Sequence, residues 1–108
     1  MKVIWSTKAN DQIISAADYI ENKFGEKAKS VFLDNINHIV LLLAFAPYLG
    51  KEEPLLEKAP VSYRSLSVDR INKIVYYINN NSIEIVALWD TRREPKSLIK
   101  DLEAPEEE

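Results

Sequence analysis

Residues 63–95, YRSLSVDRINKIVYYINNNSIEIVALWDTRREP, limit the possible folds of this chain more than any other part of its sequence. Their apolar side chains alternate with Arg64, Lys73 and Glu84 at the period of two that is typical of a β-strand with one buried face. The asparagines at 79–81 indicate a hairpin turn, because asparagine tolerates the positive φ angles that tight turns require. The pattern predicts three antiparallel strands, at about residues 61–68, 73–78 and 82–89.

The first half of the chain has the spacing of two helices that follow a short N-terminal strand. Ser6 or Thr7 is the expected N-cap, and apolar residues then recur every three or four positions as far as Phe24. Gly25 is suited to end this helix, and a second helix is predicted over residues 26–45. The short connection requires an antiparallel hairpin. The last turns of the second helix are apolar on nearly every side, which predicts that they are buried on more than one side.

The predicted order of strand, helix, helix and three hairpin-linked strands describes an α+β domain. The N-terminal strand and the helical hairpin pack on one face of a small antiparallel sheet, and the other face is expected to be free. Residues 51–60 contain two prolines and five charged residues, so we expect a connecting loop there. In this interpretation residues 1–103 form a single domain, and residues 104–108 form an acidic tail that we expect to be disordered.

The composition excludes several classes of protein. The chain has 108 residues and no cysteine, which excludes a disulfide framework, a thiolate nucleophile and a zinc–thiolate site. The longest apolar run, residues 39–47, is too short to cross a bilayer, and no segment has the pattern of a signal peptide. We therefore expect a cytoplasmic protein that does not enter a membrane, and we predict no metal site.

The net charge of −3 hides an uneven distribution of charge. Residues 61–100 carry seven Lys or Arg against four Asp or Glu, whereas residues 101–108 carry five acidic residues and no basic one. An acidic protein is a poor general binder of nucleic acid, because neutralisation of phosphates drives that binding. The strand region is nevertheless basic, so we expect function on its uncovered face and at its C-terminal end.

Three residue patterns occur in order along the chain, one at the first strand and helix, one at the end of the second helix and one across the strands. They are Trp5-Ser6 with Ala9, Ile13 and Tyr19-Ile20; the apolar run 39–47 with Gly50; and Tyr63-Arg64 with residues 73–76, 83–90 and 92–95. Together, over about residues 3–99, they resemble the RelE/ParE superfamily, the toxins of type II toxin–antitoxin systems.

The resemblance implies the α+β fold described above and two alternative activities. RelE-like and YoeB-like toxins cut messenger RNA on the ribosome, whereas ParE-like toxins poison DNA gyrase. The resemblance also implies a cognate antitoxin that wraps the toxin, so the expected assembly is a toxin–antitoxin hetero-oligomer or a homodimer. It implies no cofactor.

The RNA-cleaving alternative needs cations near the scissile phosphate and a general acid for the leaving oxygen. The resemblance implies that Lys73 replaces an arginine near that phosphate, with Arg64 and Arg92 as further candidate catalytic cations. We expect Lys73 and Arg64 to share the uncovered face; the alternative is that both are solvated strand residues. No histidine or tyrosine follows Tyr77 to serve as the acid, and His38 lies off the apolar stripe of its helix, where we expect a surface residue.

The ParE-like alternative, in which the chain binds a target without catalysis, is the one we favour because this catalytic set is incomplete. Residues 92–95, RREP, are similar to the Arg-Arg-Asp-Pro end of ParE-like toxins. Arginine side chains there would contact antitoxin carboxylates or a protein target, or one of them would pair with Asp90 or Glu94. A third alternative is a non-toxic interaction module. The candidate binding residues are Arg70, Tyr77, Arg92 and Arg93.

Alternation also assigns the aromatic residues of the predicted sheet. Tyr76 and Tyr77 point to opposite faces, so one packs in the core and the other faces outward. An outward Tyr77 would stack on a base or donate a proton; the alternative is a β-forming residue on a half-buried sheet. Trp89 is expected to share a buried face with Ile83 and Ile85.

Overall fold

A computed structural model describes residues 1–103, so the acidic tail expected at 104–108 lies outside the described residues. A five-stranded sheet has the strand order β1-β5-β4-β3-β2, in which β1 is parallel to β5 and all other neighbours are antiparallel. The elements are β1 (Lys2–Trp5), α1 (Thr7–Phe24), α2 (Glu26–Phe45), β2 (Lys51–Glu52), a 3₁₀ helix (Pro54–Leu56), β3 (Arg64–Ser67), β4 (Asn72–Asn79), β5 (Ser82–Asp90) and α3 (Pro95–Glu103). The predicted α+β architecture is confirmed. The N-terminal strand, however, is an edge strand of the sheet and is not packed on its face.

The helical hairpin begins and turns where the sequence predicts. Ser6 is the N-cap of α1, and its Oγ accepts a hydrogen bond of 3.0 Å from the amide of Ala9. Gly25 ends α1 with φ of 96°, a conformation that side chains rarely adopt. Because this single residue separates α1 from α2, the helices fold back on each other.

The hairpin buries its apolar stripe against one face of the sheet. This first core joins side chains of both helices to alternate positions of β4 and β5. Its buried members are Ala9, Ala17, Phe32, Ile36, Leu43, Ile74, Tyr76, Ile83, Ile85 and Leu88. The alternation seen in the sequence therefore identifies the inner face of β4, and that of β5 as far as Ile85.

The opposite face of the sheet is not free, and that expectation is wrong. The 3₁₀ helix and α3 cover it and form a second core. Leu56 and Leu98 pack there against the sheet, and Leu98 is fully buried. The sequence predicts a loop whose Leu55 and Leu56 contact the core and a helical turn or two over residues 96–102. Neither segment is long enough for its periodicity to show which face of the sheet it covers. The second core consists of Leu56, Val75, Ala87, Trp89 and Leu98.

A β-bulge in β5 explains why the second core contains Trp89. Tyr76 pairs with Ile85, whereas Val75 pairs with Ala87, so Val86 is an extra residue in the ladder. One extra residue reverses the alternation beyond it. Trp89 is buried as predicted, but it lies on the face opposite Ile85, and the expectation of a shared face is wrong.

The C-terminal half of α2 is more exposed than its composition predicts. Leu41 is 70% exposed and Phe45 is 90% exposed, so this end is not buried on more than one side. By length and composition alone α2 could cross a membrane, but Phe32, Ile36 and Leu43 are buried in the first core. The exposed residues therefore form an apolar surface on a helix that packs on the sheet.

We expect Gly50→Ala to lower the free energy of unfolding by about 2 kcal/mol. A Cβ atom at this position would lie 2.6 Å from the Tyr76 hydroxyl and 2.7 Å from the carbonyl oxygen of Ser65. Urea denaturation measures the change. The exposed neighbour Lys51→Ala is the control, with an expected change within about 0.5 kcal/mol. Equal stability of the two variants would contradict this close packing.

Candidate functional site

A groove of about 1220 Å³ runs between the helical hairpin and the end of the sheet where β4 begins and β5 ends. Its inner lining is apolar and includes Ile20, Phe32 and Leu88. Tyr19 and Phe24 line it as exposed aromatic residues. Three arginines, from the turn before β4 and the segment after β5, also line it. They are Arg70, Arg92 and Arg93, which we call the groove arginines.

Arg92 is held in place by the last residue of β5. Its Nε lies 3.0 Å from Asp90 Oδ1, and its Nη2 lies 2.7 Å from Asp90 Oδ2, which is a bidentate pair. The hydrogen bonds from Arg92 lower the pKa of Asp90, and the carboxylate raises the pKa of Arg92. The guanidinium remains largely exposed. The ion pair thus fixes the strand exit and keeps a cation at the groove.

Arg93 is positioned by stacking as well as by charge. Its guanidinium lies 4.7 Å from the centre of the Trp89 ring, and its Nη1 is 3.2 Å from Asp101 Oδ2 of α3. The first contact ties Arg93 to the second core, and the second ties it to the C-terminal helix. This arginine links the groove to α3.

Arg70 projects from a turn that its neighbours fix. Asp69 Oδ1 accepts hydrogen bonds from the amides of Ile71 and Asn72, at 2.8 and 2.7 Å. Thr91 Oγ1 donates to the carbonyl oxygen of Ile71 at 2.8 Å, so this turn is attached to the segment that carries Arg92. Within residues 1–103, no carboxylate forms an ion pair with the exposed Arg70. Its guanidinium is therefore available to an external carboxylate.

Lys73 lies on the other face of the sheet, paired with Glu53. Glu53 is only 3% exposed, and its carboxylate also accepts a hydrogen bond of 3.0 Å from the amide of Leu55. Burial alone would raise the pKa of Glu53, but the hydrogen bonds from Lys73, Leu55 and Ser65, together with the charge of Lys73, lower it overall. Lys73 is therefore a structural cation that neutralises a buried carboxylate and fixes the start of the 3₁₀ helix.

Arg64 lies on the helix face, so the expectation that it shares the uncovered face with Lys73 is wrong. On β3, Arg64 is paired with Tyr76 and Ser67 is paired with Lys73. Positions 64 and 67 are three residues apart, so they point to opposite faces. Arg64 Nη1 donates to the carbonyl oxygen of Gly50 at 2.7 Å, and its guanidinium lies 4.9 Å from the Tyr48 ring centre.

The three candidate catalytic cations are consequently dispersed. Lys73 belongs to the face covered by the 3₁₀ helix, Arg64 belongs to the helix face, and Arg92 lies at the groove. A cavity of about 670 Å³ beside Lys73 contains Ser65, Glu53 and other polar side chains, but neither arginine lines it. The structure brings together Arg70, Arg92 and Arg93 of the predicted site and separates Arg64, Lys73 and Tyr77 from them.

The tyrosines divide between the two faces as predicted. Tyr76 is buried, and its hydroxyl accepts from the amide of Gly50 at 2.9 Å and donates to the carbonyl oxygen of Pro47 at 2.8 Å. Burial raises the pKa of Tyr76. Tyr77 is half-buried against Tyr63 in an edge-to-face contact, with 5.7 Å between ring centres. His38 is exposed on α2, also as predicted.

Sequence reasoning missed Glu53 and the apolar lining of the groove. Glu53 precedes a proline in a charged segment, and nothing in that pattern distinguishes it from Glu52 beside it. Phe24 is predicted as part of the apolar stripe of the first helix, and Tyr19 contributes only to the family resemblance. A helical stripe does not show where the surface that covers it ends, so neither residue could be assigned to a groove. Within residues 1–103, no group of three His, Cys, Asp or Glu side chains is arranged to hold a metal ion.

Comparisons with known proteins agree with this fold. The family model described as the ParE toxin of the type II toxin–antitoxin system parDE matches residues 3–95. Comparison with curated protein sequences gives no match. Among solved structures, a chain of the chromosomal ParDE system of P. aeruginosa is 19% identical with a TM-score of 0.68, covering 83% of this chain and 95% of its own.

Two further solved structures are similar. The YoeB/ParE toxin from Agrobacterium tumefaciens is 19% identical with a TM-score of 0.58, and the match covers 83% of this chain and 98% of that one. A chain of the YoeB–YefM complex from Staphylococcus aureus is 19% identical with a TM-score of 0.53, covering 82% of this chain and 93% of that one. At this level of identity the likeness concerns the fold.

We expect Glu53→Gln to lower the free energy of unfolding at pH 7 by about 1–3 kcal/mol, because the partly buried Lys73 loses its counter-charge. The folded-state pKa of Glu53 lies below its ordinary value of 4.5. Its contribution is therefore fully present above pH 4.5 and is lost as the pH falls through the folded-state pKa. Urea denaturation from pH 7 to acid should show the wild type and the variant converging below pH 4.5.

The matched control for this experiment is Glu52→Gln, which removes a carboxylate from the exposed neighbouring position. We expect its change in stability to stay within about 0.5 kcal/mol. A Glu53→Gln protein as stable as Glu52→Gln at pH 7 would contradict the structural role of the Lys73–Glu53 pair.

Proposed function

Because the chain belongs to the ParE toxin family of type II toxin–antitoxin systems, we propose that it is a toxin that acts by binding DNA gyrase and that a cognate antitoxin neutralises it. The observation that supports this proposal most directly is the groove, an apolar channel with three arginines beside it. Arginine and aromatic side chains are enriched in protein interfaces and in their energetic centres. The groove therefore suits a protein partner.

The dispersal of the other cations supports a non-enzymatic action. RNA cleavage without a metal needs a base for the 2′-hydroxyl, cations beside the phosphate and an acid for the leaving oxygen. The charge of Lys73 is already offset by Glu53, and Arg64 lies on the opposite face of the sheet. Tyr76 uses its hydroxyl to hold Gly50 and Pro47. These side chains stabilise the fold rather than form one reactive centre.

The antitoxin is expected to place an amphipathic acidic segment in the groove. Its apolar side chains would cover Ile20, Phe32 and Leu88, and its carboxylates would contact the groove arginines. Arg70 offers an exposed guanidinium with no ion pair among residues 1–103, so binding there breaks no internal ion pair. The YoeB–YefM complex, one chain of which has a similar fold, is a precedent for such an assembly.

A ribosome-dependent endoribonuclease using Lys73, Arg64 and Arg92 is the second candidate function. The cavity beside Lys73, which is also lined by Ser65, Ser67 and Thr91, is the observation in its favour. A non-toxic interaction module is the third candidate. Both remain alternatives that the experiment below separates from gyrase binding.

The proposal predicts that the purified chain inhibits DNA supercoiling by gyrase and leaves messenger RNA on ribosomes intact. Lys73→Ala should inhibit gyrase as the wild type does, because Lys73 lies away from the groove and is not a binding residue. Supercoiling assays and mapping of message ends on translating ribosomes measure the two activities. Each variant is first checked for cooperative unfolding.

Two results would replace the proposal. Message cleavage that is abolished by Lys73→Ala would establish the endoribonuclease. Normal supercoiling and intact message at high protein concentration, together with harmless expression in cells, would establish the interaction module.

Arg70→Glu is predicted to weaken binding of the cognate antitoxin by about tenfold or more, because a carboxylate would then face the acidic segment. Isothermal titration calorimetry measures the affinity. Lys58→Glu is the matched control, since it makes the same change in net charge at an exposed position that does not line the groove. Equal loss of affinity in both variants would indicate a general charge effect and contradict docking at the groove.

A further inference from the structure

The two edges of the sheet differ in their capacity to pair with a second copy of the chain. When two copies of an edge strand pair in an antiparallel arrangement, directly opposed residues point to the same face of the sheet. The two-fold axis between the copies must therefore pass beside one residue, which then opposes its own copy. At the β2 edge, an axis beside Lys51 opposes two lysines, and an axis beside Glu52 opposes two glutamates. Directly opposed like charges are destabilising. The short β2 edge is therefore protected against self-pairing.

The β1 edge lacks this protection. β1 is the outermost strand beside β5, so its far side has no neighbouring strand among residues 1–103. Its residues are Lys2, Val3, Ile4 and Trp5, and only the first is charged. Ile4 is 37% exposed. An open edge with apolar side chains is suited to strand addition.

The backbone geometry identifies the groups that face this open edge. The amide of Ser6 donates to the carbonyl oxygen of Ile85 at 2.9 Å, so Ser6 directs its backbone groups toward β5. In a parallel pair, alternate residues bond to the same neighbour, so Lys2 and Ile4 also face β5. Val3 and Trp5 consequently present their N–H and C=O groups to the open edge.

We propose that two copies of this chain associate through their β1 edges as an antiparallel pair with the two-fold axis beside Ile4. In this register Val3 of each copy opposes Trp5 of the other, and these outward-facing residues exchange four backbone hydrogen bonds. The two Ile4 side chains oppose each other at the short spacing of a non-hydrogen-bonded pair. The two sheets become one sheet of ten strands.

The apolar surface at the end of α2 extends the interface. The nitrogen of Met1 donates to the carbonyl oxygen of Ala44 at 2.9 Å, so the start of β1 lies beside the last turns of α2. Leu41 and Phe45 are exposed there, on the apolar surface noted above. The exposed side chains of this surface carry no charge, and the Met1 ammonium beside them is held by the carbonyl oxygen of Ala44. These side chains can therefore meet their own copy without opposing like charges, which favours a second copy as the occupant.

This surface is separate from the groove. The groove contacts α2 through residues 28–35, whereas the apolar surface begins at Leu41. At 1.5 Å per residue, Val31 and Phe45 lie roughly 21 Å apart along the helix. The dimer therefore leaves the groove arginines open to another partner.

The register gives a sharp test at Ile4. Ile4→Lys and Ile4→Glu should each be monomeric, because two like charges oppose each other at the axis, whereas the wild type should be dimeric. An equimolar mixture of the two variants should form a heterodimer, since lysine then opposes glutamate. Size-exclusion chromatography with light scattering, at protein concentrations up to about 100 µM, measures the masses.

Ile99→Lys is the matched control, because Ile99 on α3 is 40% exposed and lies on another element. It should dimerise as the wild type does. Val3→Pro is a second variant that removes an outward-facing N–H and leaves the bonds to β5 in place, and it should also be monomeric. Glu84 of β5 pairs with Ile4, so cooperative urea unfolding of each Ile4 variant is verified first.

Several results would overturn the proposal. A monomeric wild type across this concentration range excludes the dimer. If Ile4→Lys and Val3→Pro are both dimeric, the two copies associate through a surface other than the β1 edge. Monomers that remain separate in the Ile4→Lys and Ile4→Glu mixture exclude the register centred on Ile4.

Discussion

The pairing of β4 with β5, including the extra residue Val86, determines which side chains the sheet contributes to each of its two cores. Before the bulge, Ile83 and Ile85 enter the core beneath the helical hairpin. Beyond the bulge, the odd-numbered side chains of β5 point to the opposite face of the sheet, so Ala87 and Trp89 enter the second core. One strand thereby supplies both faces of the sheet, and α3 has a buried surface on which to pack.

The second core determines what the charged residues can do. Lys73 lies on the covered face, where an unpaired ammonium is costly, and Glu53 supplies the counter-charge from the start of the 3₁₀ helix. Arg64 donates a hydrogen bond to the carbonyl oxygen of Gly50 and so holds the segment between α2 and β2. The sheet therefore has no open basic face, and the exposed guanidinium groups that remain together are those at the end of β5.

At the end of β5, neighbouring side chains hold the groove arginines in place. The guanidinium of Arg93 stacks on the Trp89 ring, and the carboxylate of Asp90 orients Arg92. Thr91 donates a hydrogen bond to the turn on which Arg70 lies. The helices add the apolar side chains of the groove. Preorganised arginines beside an apolar channel reduce the entropy lost when a partner binds, which is the physical basis of the proposed function.

The helical hairpin, the three main strands and the placement of Tyr76 and Tyr77 on opposite faces could be predicted from the sequence, because helical and strand periods and the residues Ser6 and Gly25 act locally. Which of the two tyrosines is buried could not be predicted. The sequence also indicated that the arginines after β5 belong together, since they are adjacent in the chain. The face on which Trp89 lies depends on the fold, because a single bulge reverses the alternation of side chains along β5. The pairing of Lys73 with Glu53 also depends on the fold, because twenty residues separate them in the sequence. Long-range register and the packing of short segments are set by the whole core, and no local pattern encodes them.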